Sequence, residues 1–145
     1  MDFLSALRTS ASALSAERTR VNLATSNLAN AESTRGPDGL PYRRLDPVME
    51  SVPFEDSMAA ASAGSGDAPV AGVRVAQVVA DPTPGRRVYS PGHPDADPDG
   101  FVTFPNVEPI HEVVNLMSAS KAYEANATAV ETLKTMAQRA MDISR

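Results

Sequence analysis

Residues 110–145 read IHEVVNLMSASKAYEANATAVETLKTMAQRAMDISR and contain neither proline nor glycine. Within this segment Val113, Leu116, Ser120, Tyr123, Ala127, Val130, Lys134, Ala137 and Met141 fall at alternating spacings of three and four, the seam of a heptad helix. Leu133, Met136, Ala140 and Ile143 carry the apolar face round as such a helix drifts. One continuous helix over 107–144 would be about 55 Å long, at roughly 1.5 Å per residue.

The same alternation returns at the other end of the chain. Leu4, Leu7, Ala11, Leu14, Arg18, Val21, Thr25 and Leu28 keep it, with Leu7, Leu14, Val21 and Leu28 holding one seam position throughout. The second position decays to Arg18 and Thr25, and TSNLAN supplies residues that favour caps and turns over helix interiors. This helix, about 40 Å long over 3–30, is the weaker of the two.

All 12 prolines and all 8 glycines lie between Gly36 and Pro109, so the helix breakers separate two helical ends from a non-helical middle. The expected division is an N-terminal helix in 1–35, a Pro/Gly-rich strand and loop module in 36–106, and a C-terminal helix in 107–145. Strand signals in the middle are YRRLDPVME from Tyr42, GVRVAQVVAD from Gly72, RRVY from Arg86 and FVTF from Phe101, while Asp56 to Ala68 is a small-residue linker. The fold class predicted is mainly α with a small β module: two long terminal helices packed as a coiled-coil-like pair, with short strands and loops between them.

Composition excludes more functions than it admits. The net charge of −5 sits almost wholly in residues 36–105, where ten acidic side chains face five basic ones, so no clustered basic face is offered to nucleic acid. Arg43/Arg44 and Arg86/Arg87 read as solvated strand or turn residues. There is no cysteine, hence no disulfide, thiolate nucleophile or cysteine-based zinc site. His93 and His111 lack a neighbouring nucleophile or second ligand and read as surface residues; the methionines read as packing groups. No catalytic, cofactor-binding or metal residues are expected, and no enzyme activity. No segment is long and apolar enough for direct membrane insertion, and Asp2 stands where a signal peptide carries a basic residue.

The string DADPDG, residues 95–100, has the ligand spacing of the first half of a calcium loop. The second half fails, because Asn106 occupies the position that needs a bidentate carboxylate and SPGHP before it cannot be helical. An acidic turn leading FVTF towards the C-terminal helix accounts for the residues, with Asn106 as the expected cap, Pro109 in the first turn, and Glu108 and Glu112 near the positive helix end. What the two helices lack is cover: a two-helix hairpin leaves half of each apolar stripe wet. Partners that meet head to tail would give an assembly that need not close.

Specific strings resemble the flagellar basal-body rod protein family. SALRTSASALSAERTRVNLATSNLANAEST contains the Asn-x-x-Asn-Ala motif at Asn27 to Ala31, and VYSPGHPDADPDGFVTFPNVEP with the helix after it resembles the family's C-terminal motif. The resemblance implies a structural subunit of the proximal rod, exported without a cleaved signal peptide and polymerised in the periplasm. Its terminal helices would form an axial layer around the export channel of a torque-transmitting shaft. Partners implied are other rod subunits, the basal export-gate adaptor, and further copies in a helical assembly. The assembly interface expected from seams and motif together comprises Leu4, Leu7, Leu14, Val21, Asn27, Leu28, Asn30, Val113, Leu116, Tyr123, Val130 and Met136. Two other readings fit parts of the same residues: a folded, dimeric cytoplasmic helical adaptor or export chaperone, and a calcium-dependent binding module or enzyme built on Asp95, Asp97 and Asp99.

Overall fold

The computed structural model describes residues 3–36, 38–52 and 72–143. Within these, helix α1 spans Phe3–Ala29 and helix α2 spans Pro109–Ile143, with strands β1 (Leu45–Val52), β2 (Gly72–Ala80), β3 (Arg86–Tyr89) and β4 (Phe101–Phe104) between them. The chain is mainly helical with a small sheet module. The small-residue linker expected at 56–68 lies outside the described residues.

Both helices are rich in Ser, Thr and Asn, and these side chains bond back onto their own helix. Thr9 donates to the Ser5 carbonyl at 3.0 Å, Thr25 to Val21 at 2.8 Å, Asn126 to Ala122 at 2.9 Å and Thr132 to Thr128 at 2.9 Å. That back-bonding satisfies polar groups that would otherwise compete with helix formation. α2 begins at Pro109, whose fixed φ and missing N–H suit a first helical position. The expected cap is not made. Asn106 turns its Oδ1 to the Arg44 N–H at 3.0 Å and so fastens the middle module in place of the helix end.

α1 and α2 pack side by side and meet where α1 ends and α2 begins, so they run in opposite directions. The buried residues of the two helices are small or polar: Ser5, Ala16, Ala24 and Asn27 on α1, and Glu112 and Ala119 on α2. The expected seams sit beside this contact. Leu7, Leu14, Val21 and Leu28 are half-buried, whereas Leu4, Ala11, Arg18 and Thr25 are exposed. On α2, Leu116, Val130 and Ala137 are half-buried, but Val113, Ala127, Lys134 and Met141 are exposed, and Leu133 and Asn126 turn inward. α1 is thus rotated so that one of its two seam positions looks outward; α2 follows the same tendency except at Ser120, which is half-buried, and Tyr123, which is exposed.

β1 and β2 form an antiparallel ribbon from Leu45↔Ala80 to Val52↔Gly72, with a register shift between Val48 and Met49 that leaves Ala76 without an opposite residue. The bulge breaks the expected alternation: Val73 and Val75 are half-buried, and Val79 beyond the shift is exposed. Tyr42 to Arg44, read as part of this strand, lie before it: the Tyr42 N–H donates to the Ser33 carbonyl and the Arg44 N–H to Asn106. The ribbon lies along α1, where Ser12 Oγ accepts the Val73 N–H at 3.1 Å.

β3 and β4 form a second ribbon, Arg86↔Phe104 to Tyr89↔Phe101, with Arg86 over the Phe104 ring and Arg87 over Phe101. The acidic turn joins them. Asp97 N–H donates to the Phe101 carbonyl and Gly100 N–H to Asp97, both at 2.8 Å. Gly100 has φ +79°, and a Cβ there would fall 2.9 Å from Tyr89 Cε2, so glycine is required for conformation and for space. Asp95 accepts from Thr34 at 2.8 Å and pairs with Arg35, and Asp97 pairs with Arg87. These carboxylates tie the turn to the segment after α1 and to β3.

The buried apolar core among the described residues is Ala16, Ala24, Val102 and Ala119, of which Ala119 is 0% exposed. Small residues at a helix contact allow close approach and leave no room for growth. Ala119→Leu is therefore expected to destabilise the chain by about 1–3 kcal/mol, read from urea denaturation, while Ser118→Ala on the exposed neighbour stays within about 0.5 kcal/mol. Equal midpoints for the two variants would show that the helices are not packed at this position.

Candidate assembly interface

A polar lock sits where α1, the start of β1 and α2 converge. Asn27 is 1% exposed. Its Nδ2 donates to the Leu45 carbonyl at 2.9 Å and to Glu112 Oε2 at 3.2 Å, while its Oδ1 accepts from the Leu45 N–H and the Tyr42 hydroxyl, both at 2.9 Å. All four hydrogen-bonding positions of the amide are filled, which is what an amide buried this deeply requires. The other motif asparagine works locally: Asn30 Nδ2 donates to the Ser26 carbonyl at 2.8 Å and its Oδ1 accepts from Ser33, closing the last turn of α1.

Glu112, 1% exposed, is the second member of the lock. Its Oε1 accepts from Arg44 Nε at 2.7 Å, and its place in the first turn of α2 puts it near the unpaired helix amides. Arg44 also reaches Asp46 at 2.8 Å and Asp81 at 3.9 Å. The hydrogen bond that Arg44 donates to Glu112 raises the Arg44 pKa above its ordinary value; partial burial opposes this, and the charges of Asp46, Glu112 and Asp81 reinforce it. Asp81 is held below the usual carboxylate range by side-chain and backbone hydrogen bonds from Thr83, with a smaller contribution from Arg44. A lowered folded value means that whatever stability Asp81 contributes is present at neutral pH and is lost as pH falls through that value.

Sequence reasoning missed two of these residues. Arg44 was expected to be solvated and instead lies against a buried carboxylate; Glu112 lies near the positive helix end as expected, but its burial and its bonds to Arg44 and Asn27 were not foreseen. Their partners are distant in sequence, and only the Asn-x-x-Asn-Ala motif flagged the site. A cleft of about 230 Å³ beside the lock is lined by Arg20, Asn27, Arg44, Met49 and Glu112, whose charged groups already face one another or Glu17. Asn106 Nδ2 is a buried donor with no partner among the described residues. His93 is half-buried, its Nδ1 accepting the Asp95 N–H at 3.1 Å, while His111 is exposed beside Glu108. No group of three His, Asp or Glu side chains among the described residues converges as a metal site, and no helix there is long and apolar enough to cross a membrane.

The remaining expected interface residues divide by position. Leu4 is 60% and Met136 61% exposed, Val113 and Tyr123 are exposed to a lesser degree, and Leu7, Leu14, Val21, Leu28, Asn30, Leu116 and Val130 are half-buried. The thin interior of the helix pair contrasts with the large apolar side chains it leaves exposed. Ile110, Val114 and Met117, none of them in the expected set, are exposed on the first turns of α2.

The chain belongs to the flagellar basal-body rod protein family. Residues 7–37 match the family model for flagella basal body rod protein, and residues 99–143 match the model for the C-terminal part of flagellar basal body rod FlgEFG proteins. Its relatives include the flagellar basal-body rod protein FlgC of Yersinia enterocolitica, 40% identical over the whole of both chains, and that of Escherichia coli O6:H1, 43% identical over 92% of each. FlgC of Bacillus subtilis strain 168 is 39% identical over 96% of each chain. The two family matches coincide with the lock: Asn27 lies in one and Glu112 in the other.

Removing the amide of Asn27 strands the Leu45 peptide groups and one Glu112 oxygen. Asn27→Ala is expected to cost about 1–3 kcal/mol, and a double-mutant cycle with Glu112→Ala to give a coupling of about 0.5–3 kcal/mol, measured by urea denaturation. Strictly additive losses would mean that the two side chains do not act as one unit.

Proposed function

We propose that this chain is a structural subunit of the proximal rod of the bacterial flagellar basal body, polymerising through its terminal helices. The observation that carries the reading is full-length similarity to FlgC relatives in a chain whose helix pair keeps large apolar side chains on its outside. Buried against neighbouring subunits, those side chains would supply the driving force for assembly. In this reading residues 1–35 and 107–145 are axial helices, paired in the manner of a coiled coil and enclosing the export channel. Residues 36–106 form the outer module. Many shallow contacts shared along the helices would resist twisting together, as a drive shaft requires.

The interface comprises Leu4, Leu7, Leu14, Val21 and Leu28 on the first helix and Val113, Leu116, Tyr123, Val130 and Met136 on the second. Asn27 and Asn30 support it by fixing the frame that presents it. Neighbours are other rod subunits, further copies and the export-gate adaptor at the base, reached in the periplasm after export without a cleaved signal peptide. The acidic turn serves the fold, its Asp95 and Asp97 carboxylates being engaged by Thr34, Arg35 and Arg87.

Basal bodies isolated from the native organism should contain the chain with no signal segment removed, and cells lacking it should build neither hook nor filament. Tyr123→Asp, placed at a 40% exposed position, should leave the purified chain as helical as the parent by circular dichroism yet abolish swimming. Swimming at the parental rate with the variant incorporated would remove this face from the interface; basal bodies free of the chain would end the rod reading.

A further inference from the structure

A cleft of about 220 Å³ opens in the middle module, away from the helix pair. It is lined by residues 40–43, which precede β1, by residues 82–85, which precede β3, and by Thr103 and Phe104 of β4 with Asn106 beyond them. Pro41, Pro82 and Pro84 have fixed φ, and a Cβ on Gly85 would run into the Phe104 carbonyl. The walls are therefore set before anything enters. The volume falls short of the roughly 300–1,000 Å³ of small-molecule sites and suits a short stretch of chain.

Its charge distinguishes it from the other described clefts. The cleft beside the lock holds Arg20 and Arg44 against Glu17 and Glu112, and the cleft at the acidic turn holds Arg35 against Asp95. A third, at the start of α2, is lined by Asp81, Glu108 and Glu112. In this one no carboxylate is among the lining residues, although residues 36–105 carry ten acidic side chains and five basic ones. Its charged member is Arg43, exposed and without an ion pair among the described residues. Arg86 stands at the rim, its Cζ 5.6 Å from the centre of the Phe104 ring, and it too meets no carboxylate there. Asp81, next to Pro82 in sequence, is engaged by Thr83 and faces Arg44; Asp38 and Glu108 do not line the cleft. Leu40, 63% exposed, forms an apolar lip.

We infer that this cleft is a docking groove for an extended acidic segment of a partner protein, one that alternates apolar residues with Asp or Glu. An apolar side chain of that segment lies against Leu40, Pro41 and Phe104, and the carboxylate beside it takes the Arg43 guanidinium in two parallel hydrogen bonds, with Arg86 adding charge from the rim. Rigid proline walls lower the ordering cost of binding. The groove is built from residues outside both helices, so the inference does not depend on the assembly reading above and assigns the middle module a surface of its own.

The test is an NMR titration of the isotope-labelled chain with a blocked hexapeptide of alternating leucine and glutamate. The amide signals of Leu40, Arg43, Thr83, Gly85 and Phe104 should move, and those of α2 should stay. Arg43→Gln should weaken binding about tenfold, the size of a lost charge-assisted hydrogen bond, and Arg86→Gln by less. Leu40→Glu keeps Arg43 but sets a like charge at the lip, and should weaken binding as well. Added salt should do the same to the parent, and an unchanged spectrum away from the groove shows that each variant is folded. A leucine–glutamine peptide that binds as tightly would overturn recognition of charge. Acetate or phosphate alone moving the same signals at the same concentration would overturn the peptide groove in favour of a plain anion site. Shifts confined to the helices, or none at millimolar peptide, would overturn docking at this cleft. Each of these failures leaves the rod reading untouched, since that is decided by the content of isolated basal bodies.

Discussion

One buried amide organises this chain. Asn27 bonds the peptide of Leu45, the hydroxyl of Tyr42 and the carboxylate of Glu112 at once, joining the end of α1, the start of the first ribbon and the start of α2. The apolar core cannot do this by itself: its helix-contact residues are alanines, each of which removes little area from water. Alanines alone would permit several rotations of one helix against the other at similar free energy. Directional bonds to a buried asparagine and a buried glutamate do not, since any other rotation strands desolvated donors and acceptors.

Fixing the rotation determines what remains outside. The residues on the Asn27 face of α1 are Ser5, Ala16 and Ala24, and those on the Glu112 face of α2 include Ala119, so the lock draws small side chains inward and turns larger ones out. A pair that buried its Leu and Val seams at home would be a more stable monomer and would have less to offer a neighbour. The polar lock and the apolar exterior are two consequences of the same choice of face.

The gross architecture was legible because its signals are local. Confinement of every proline and glycine to 36–109 marked both helices, and RRVY and FVTF were bounded by turn residues on each side. Helix rotation was not legible, because it depends on contacts between residues 27, 44 and 112. Periodicity alone favours the most apolar stripe as the inward one, and that stripe includes Val113 and Leu4. Arg44 looked solvated because its neighbour Arg43 is; Asn106 looked like a cap because it precedes a helix, but the Arg44 N–H competes for the same oxygen. The Asn-x-x-Asn-Ala motif pointed to the right place without revealing that Asn27 looks inward.

The middle module is bound to the helices at several points along their length. The first ribbon is held to α1 at Asn27 through Leu45 and about four turns earlier at Ser12 through Val73. The second ribbon follows through Asp95, which grips Thr34 just beyond α1, and the segment leading into α2 follows through Asn106. Turning α1 about its axis would break the Ser12 and Asn27 attachments together, so a twist applied to the helix is passed to the ribbon. The network that fixes which apolar faces look outward is therefore also the one that makes helices and strands move as a single body.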